Sequence, residues 1–415
     1  MRKAHSLIDK VYDPDNLYRA WRRVRRNRGA AGVDAVTISM FETDLERNLR
    51  AIHRQLRERR YHPRPVKRVY IPKGPQPGEL RPLGIPTVKD RIVQQALLQI
   101  VEPIFDHTMS NRSFAYRKGR NAHDAIATLM RDVKDGYRHV VDADIKAFFD
   151  SIGHDVVMSR LRARIADGRV LDLFEAFLMA GVMEDGEVTV PAAGTPQGGV
   201  VSAWLSNLVL DDLDKALHRA GFRHVRYADD FVVLCQSRED ARKALTLVTE
   251  GLDALKLQLH ETKTRLSDAW KGFEFLRFRI KANHVSVSSR AIERFKERIR
   301  WLTRRQQGRN VEAVFHRLEP VIRGWVGYFG LAEVSRLLRR LDEWIRMRIR
   351  SFRFKRKKRH DNHRLPNRRL RRWGLLSLRL CRPAKRFPTL VGHGRSRARP
   401  RLLTTRLPRG AAQSQ

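Results

Sequence analysis

Apolar residues first recur at helical spacing. In "MFETDLERNLRAIHRQLRERR", Leu45, Leu49, Ile52 and Leu56 share one face and arginine fills much of the rest. "NLYRAWRRVRRNRGAAGVD" has similar spacing before a Gly/Ala loop that ends at Asp34. Val66, Val69 and Ile71 then predict a strand, the Pro/Gly cluster at 74–78 a turn, and Leu80 to Ile85 a returning strand. "KDRIVQQALLQIVEPIFD" predicts a helix on Ile92, Ala96, Gln99 and Ile100, ending before Pro103.

Further along, "VVDADI" reads as a strand entering a turn. "GTPQGGVVSAWLSNLVLDDLD" reads as a glycine-rich turn opening a long helix, with Val201, Leu205, Leu208 and Val209 inward. "FRHVRYADDFVVLC" predicts strand, turn, strand, and "GFEFLRFRI" one more strand. From about residue 288 the spacing is helical again, with Leu337, Leu341, Trp344, Ile345 and Ile349 on one side of "RLLRRLDEWIRMRIRSF". No internal repeat interrupts this order.

Composition adds a partner. The 415 residues are 42% apolar, enough for a sizeable core, but 85 Lys and Arg face 45 acids and leave a net charge of +40. Such an excess repels itself unless a polyanion binds, and nucleic acid is the leading expectation. An anionic membrane surface is the weaker one, since no apolar run approaches a membrane span or a signal peptide. Two cysteines, Cys235 and Cys381, lie far apart and form no CxxC pair, which argues against a disulfide framework and a cysteine-rich zinc site and fits a reducing, cytoplasmic setting. After about residue 352, roughly twenty basic residues face the single acid Asp361, so composition predicts a basic tail that orders on binding.

Against this background Asp229 and Asp230 stand out. In a regular strand, neighbouring side chains point to opposite faces, so one carboxylate would be forced inward at a cost of several kcal/mol. A tight turn would carry both to a hairpin tip. Asp144 ends a second apolar strand. Carboxylates converging from separate strand ends need a cation, and hard divalent ions such as Mg²⁺ take oxygen ligands together with substrate phosphates. Two such ions can clamp an in-line phosphoryl displacement.

The ordered segments "DIKAFF", "GTPQGG", "YADD" and "LKLQLHETKTRLS" resemble the palm motifs of reverse transcriptases. "NRGAAGVDAVT", "RPLGIPTVKDRIVQQAL", "SFAYRKGRNAHDA" and "VIRGWVGYF" resemble the bacterial group II intron-encoded reverse transcriptase/maturase family, from about residue 15 to 350. The resemblance implies an α+β right-hand polymerase with an antiparallel palm sheet, a helical thumb and a basic tail. Its expected divisions are a basic helical extension at 1–65, fingers and palm at 66–285, a thumb/maturase domain at 286–352 and a nucleic-acid-binding tail at 353–415.

The resemblance also implies roles. Asp144, Asp229 and Asp230, with the Ile145 carbonyl, would hold two Mg²⁺ ions. Phe149, five residues after Asp144, would exclude a 2′-OH and favour dNTPs. Gln197, Gly198 and Gly199 would lie beneath the templating base pair, and Lys73 and Arg81 would grip the triphosphate. Lys263 matches a lysine proposed as the acid for pyrophosphate; a solvated lysine is an equal reading. The implied partners are group II intron RNA, an RNA template with its DNA primer, target DNA and dNTPs.

Three departures qualify the match. Arg277 replaces a usual glycine, Ala115 a frequent one, and His360, His363, His393 and Cys381 lack the ligand pairs of an HNH-type endonuclease, so no endonuclease activity is expected. The competing readings are an RNA-binding maturase without polymerase activity and a domesticated reverse transcriptase serving defence or repair.

Overall fold

The computed structural model describes residues 3–72, 80–190, 193–195, 198–355 and 361–383. The chain begins with helices α1 (Ile8–Tyr12), α2 (Pro14–Arg26), α3 (Ile38–Thr43) and α4 (Leu45–Arg57). Strands β1 (Val66–Pro72) and β2 (Leu80–Ile85) pair antiparallel and lead into α5 (Val88–Asp106) and α6 (Ala122–Lys134). Then come β3 (His139–Ala143), α7 (Phe148–Ser151), α8 (His154–Arg162), α9 (Gly168–Leu178), β4 (Val182–Glu184) and β5 (Glu187–Thr189). The long helix α10 (Val200–Arg219) precedes the hairpin β6 (Arg223–Tyr227) and β7 (Asp230–Cys235), followed by α11 (Arg238–Asp253) and β8 (Arg265–Asp268). Strands β9 (Phe273–Phe275), β10 (Phe278–Lys281) and β11 (His284–Val287) precede α12 (Ser289–Leu302), α13 (Val311–Phe329), α14 (Ser335–Phe354), α15 (Asp361–Arg364) and α16 (Asn367–Arg372).

The sheet that matters most for function has the order β6-β7-β3-β8, and all its pairings are antiparallel. Its apolar side chains divide between two cores. Val141, Ala143, Phe231 and Val233 face a core shared with α2, α5, α9, α10 and α11. Val140, Val225, Val232 and Leu234 face a second core with α6, β9–β11 and the C-terminal helices. The central strands β3 and β7 are thus covered on both sides and read as apolar runs, whereas the edge strand β8 is largely exposed.

Several expectations change in detail. Helix α5 runs through Pro103 to Asp106; proline removes its own N–H bond, while Val101 and Phe105 on either side are buried. "GFEFLRFRI" is two strands, because Leu276 and Arg277 turn with φ of +51° and +65° and Phe275 pairs with Phe278. The basic segment after 352 is not uniformly a tail: Leu365, Leu370, Leu375 and Leu378 are buried against the C-terminal helices. Asp342, also buried, accepts hydrogen bonds from Ser377 Oγ at 2.7 Å and the Leu378 amide at 2.9 Å. Among the described residues no helix is long and apolar enough to cross a membrane.

Candidate active site

The hairpin that carries the paired aspartates is tighter than the sequence suggests. Tyr227 pairs with Asp230, so the loop is only Ala228 and Asp229, and Ala228 has φ of +62°. A non-glycine residue there costs of order 1–3 kcal/mol and persists only when its surroundings hold it. Arg226 supplies that hold. Its Nη1 donates to the Ala228 carbonyl at 3.0 Å and to Asn207 Oδ1 at 2.7 Å. Its Nε and Nη2 donate to Asp214 at 2.6–3.0 Å. Arg226 and Asp214 are each 1% exposed. Burial alone would raise the Asp214 pKa, but Arg226 and His224 hold the carboxyl well below the usual range.

Asp230 does not reach a solvated tip. It begins β7, is half-buried, and its pKa is pushed up to about 7 by burial first, then by Asp142, Asp229 and Asp144. Asp229 is also raised, by burial first and with a further contribution from Asp144. Asp142, two residues before Asp144, is raised to about 6 by burial; Arg265 opposes this and Asp144 adds to it. Four carboxylates therefore act on one another from the ends of β3 and the β6–β7 hairpin. All their donors are oxygen, the set hard divalent cations prefer. Among the described residues no three such groups are already close enough to form a ready-made metal cage.

Lys263 Nζ lies 2.7 Å from Asp144 Oδ2, pairing two partly exposed groups. Ile145 is buried and bridges Leu259, and His260 donates its amide to the Asp144 carbonyl at 2.7 Å. The segment between α11 and β8 is thereby fixed to the end of β3.

The glycine-rich loop sits nearby. Phe149, half-buried and edge-on to Phe148, accepts the Thr195 amide at 2.7 Å through its carbonyl. Gly198 has φ of +115°, and a Cβ there would collide with the Gly84 carbonyl and lie 2.9 Å from Leu83 Cδ1. Arg81 lies on β2 opposite Ile71. Lys73 and Gln197 lie outside the described residues.

Three neighbours escaped the sequence reading. Asp142 shares a strand face with Asp144, and their i, i+2 spacing was the available signal. Gln94 Oε1 accepts the Val200 and Val201 amides at 2.8 and 3.4 Å, capping α10, whose own N-cap Gly199 offers no side chain. Tyr116 has φ of +56°, and its pKa is raised by burial first and then by Asp229, with Arg81 opposing, which places it between hairpin and fingers. No local pattern announces Gln94 or Tyr116.

A right-hand polymerase palm accounts for this sheet, hairpin and glycine loop. Residues 71–280 match the family described as reverse transcriptase (RNA-dependent DNA polymerase), and residues 292–374 match the group II intron maturase-specific domain. The chain belongs to the reverse transcriptase family and carries the maturase-specific domain after it. It is 32% identical to Protein YkfC of Escherichia coli (strain K12), over 66% of this chain and 82% of that protein. It is 35% identical to the group II intron-encoded protein LtrA of Lactococcus lactis subsp. cremoris, over 52% of this chain and 37% of that protein. A solved structure titled "Partial Cas6-RT-Cas1--Cas2 complex" aligns with TM-score 0.38 and 26% identity, covering 60% of this chain and 42% of that one. Reverse transcriptases as a family use divalent metal ions, and nucleic acids are the partners of both matched domains.

Proposed function

We propose that this protein copies group II intron RNA into DNA by two-metal nucleotidyl transfer and binds the same RNA to assist its splicing. The observation that carries the reading is the two-residue hairpin that brings Asp229 and Asp230 to the end of the strand bearing Asp144. In this reading Asp144, Asp229 and Asp230, with the Ile145 carbonyl, hold two Mg²⁺ ions. When bound, they would supply Lewis-acid activation of the primer hydroxyl and charge neutralisation at the pyrophosphate. The mutual upward shifts among the carboxylates support a cation at this place, since it would relieve their repulsion.

The other roles belong to the chain itself. Arg81, with Lys73, binds the triphosphate oxygens. Phe149 packs beneath the sugar and excludes a 2′-OH. Gln197 and Gly198 support the nascent base pair, and the close approach of Gly198 to Gly84 ties that support to the fingers strand. Lys263 donates a proton to the leaving pyrophosphate or serves as counter-ion to Asp144; its ion pair with Asp144 supports the second role directly.

For the domains we propose a basic extension at 1–65, fingers and palm at 66–285, and a helical thumb from 286 that includes the buried leucines up to Leu378. The remaining basic segment contacts template, primer or target DNA. The bacterial cytoplasm is the proposed setting.

Primer extension on poly(rA)/oligo(dT) with Mg²⁺ and dTTP tests the reading. The wild type extends, and the Asp229→Ala/Asp230→Ala variant does not. An inactive wild type that still binds structured RNA tightly would leave a maturase without polymerase activity.

A further inference from the structure

The C-terminal helices carry an unusual surface around Trp301, near the end of α12. The indole is 44% exposed. Guanidinium carbons lie over it at 4.6 Å (Arg298), 4.8 Å (Arg317) and 5.7 Å (Arg304). Arg309 belongs to the same cluster: the Arg317 pKa is lowered by desolvation first and then by Arg309, Arg298 and Arg304. Among the described residues none of these four arginines pairs with a carboxylate. The nearby Glu293 is taken by Arg300 and Lys296.

One arginine over an exposed ring is an ordinary cation–π contact that needs no ligand. Four guanidiniums gathered without a counter-charge are different, because each opposes the others. A polyanion relieves this, and the flat indole adds a requirement for a partner with aromatic faces. Bases inside a duplex are stacked on one another and offer no free face. Unpaired bases do, and they stack on aromatic rings and guanidinium planes alike. Trp301 also lies within the segment that matches the maturase-specific domain, which favours RNA.

We infer that Trp301, Arg298, Arg304, Arg309 and Arg317 form a docking site for single-stranded RNA, with a base on the indole and flanking phosphates on the guanidiniums. This rests on the nucleic-acid-binding part of the proposed function but not on polymerase activity.

The test uses the full-length protein and a short mixed-sequence RNA carrying 4-thiouridine, presented as a single strand and as a perfect duplex. The mixture contains neither dNTP nor divalent metal, so an inactive polymerase leaves the result readable. Affinity and photo-crosslinking are measured for wild type, Trp301→Ala, Trp301→Phe and Arg298→Gln/Arg317→Gln. The expected result is a crosslink to the peptide containing Trp301 with the single strand only. Trp301→Ala weakens single-strand binding about fivefold to a hundredfold, the range for one lost base stack, without changing the salt slope. Trp301→Phe restores most of the affinity. The double arginine variant lowers the single-strand salt slope by about 1.4, about 0.7 for each lost phosphate contact. The inference is overturned if Trp301→Ala binds the single strand as wild type does, or loses single-strand and duplex affinity equally. It is also overturned if no crosslink reaches that peptide. Should Trp301→Ala fail to fold, the crosslink in the wild-type protein decides the matter, since its absence with the single strand overturns the inference.

Discussion

Asp214→Asn should be among the most damaging isosteric changes in this protein, although Asp214 is not proposed to touch substrate. The carboxylate receives three donor–acceptor contacts from Arg226, and both residues are almost wholly inaccessible. The amide keeps the shape but leaves a buried guanidinium without its counter-charge. Removing one partner of a buried pair costs about 3–5 kcal/mol. At about 2–4 °C per kcal/mol for a chain region of this size, the thermal midpoint should fall by about 6–20 °C. The second variant separates stability from position. Arg226→Met/Asp214→Leu removes both charges while keeping bulk, and such replacements are often neutral or stabilising. The Ala228 carbonyl would still lose its donor, and the strained turn before Asp229 its restraint. Calorimetry and primer extension on the same preparations check this. The double variant should recover part of the stability lost in Asp214→Asn, since Asn207 and the Ala228 carbonyl still lose their donor, yet extend at least about tenfold more slowly than the wild type, since small misplacements at reacting groups are costly. A double variant that is both stable and fully active would refute the positioning argument. A loss below about 1 kcal/mol in Asp214→Asn would refute the energetic one.

The same pair sets an acid limit. The folded Asp214 pKa lies below its unfolded value of about 3.9, so its contribution is complete above that value and is lost as pH falls through the folded pKa. Denaturation below about pH 4 should therefore be steeper in wild type than in Asp214→Asn.

Asp230 and Asp142 shift the opposite way. Their folded pKa values of about 7 and about 6 exceed the unfolded ones, so without divalent cations stability should fall as pH rises from about 4 to about 7. Melting curves in chelator and in Mg²⁺ should consequently diverge more at pH 8 than at pH 5, and parallel curves would count against the carboxylate cluster. Gly198→Ala places a Cβ against the Gly84 carbonyl at a φ that L-residues rarely adopt, and should cost about 1–3 kcal/mol together with most dNTP incorporation; unchanged KM and kcat for dTTP would show that the loop tolerates it. Arg277→Gly relieves a left-handed residue and should stabilise the protein by about 1 kcal/mol in urea unfolding. Lys263→Met should flatten the alkaline limb of the pH–rate profile if Lys263 is the general acid, whereas an unchanged profile with a shifted Mg²⁺ requirement would mark it as counter-ion.

What the sequence reveals and what it hides follows from the reach of each contact. The "YADD" hairpin is local, built by neighbours within a few residues, and the strand before Asp144 declares itself by its apolar run although its partners β7 and β8 lie far along the chain, so alternation and a tight turn suffice to find them. The same alternation contained Asp142, which was legible but overshadowed by its neighbour two residues on. Gln94 was not legible: it acts on amides 106 residues away, and nothing in "IVQQAL" distinguishes a core-facing glutamine from a cap for another helix. The C-terminal segment failed for a different reason. Its charge dominates any window average, yet stability depends on where the few apolar residues fall. Leu365, Leu370, Leu375 and Leu378 are enough to seat it against α14, with Asp342 satisfying the amides and hydroxyl at its end.

That distinction also bears on how the two matched domains work together. Tyr328 of α13, in the "GWVGYF" segment, donates its hydroxyl to the Leu276 carbonyl at 3.1 Å and stacks on Phe278. The Leu276 amide in turn favours the charged form of Asp230. The maturase-matching helices are therefore not an appendage to the polymerase-matching part. They share a hydrophobic core with strands of its palm sheet, and they brace the turn next to one of its carboxylates. A protein assembled this way has reason to keep both segments even where only one activity is under selection, because loss of the thumb would uncover Phe278, which packs on Tyr328 and Phe329, and leave the Leu276 turn without its brace.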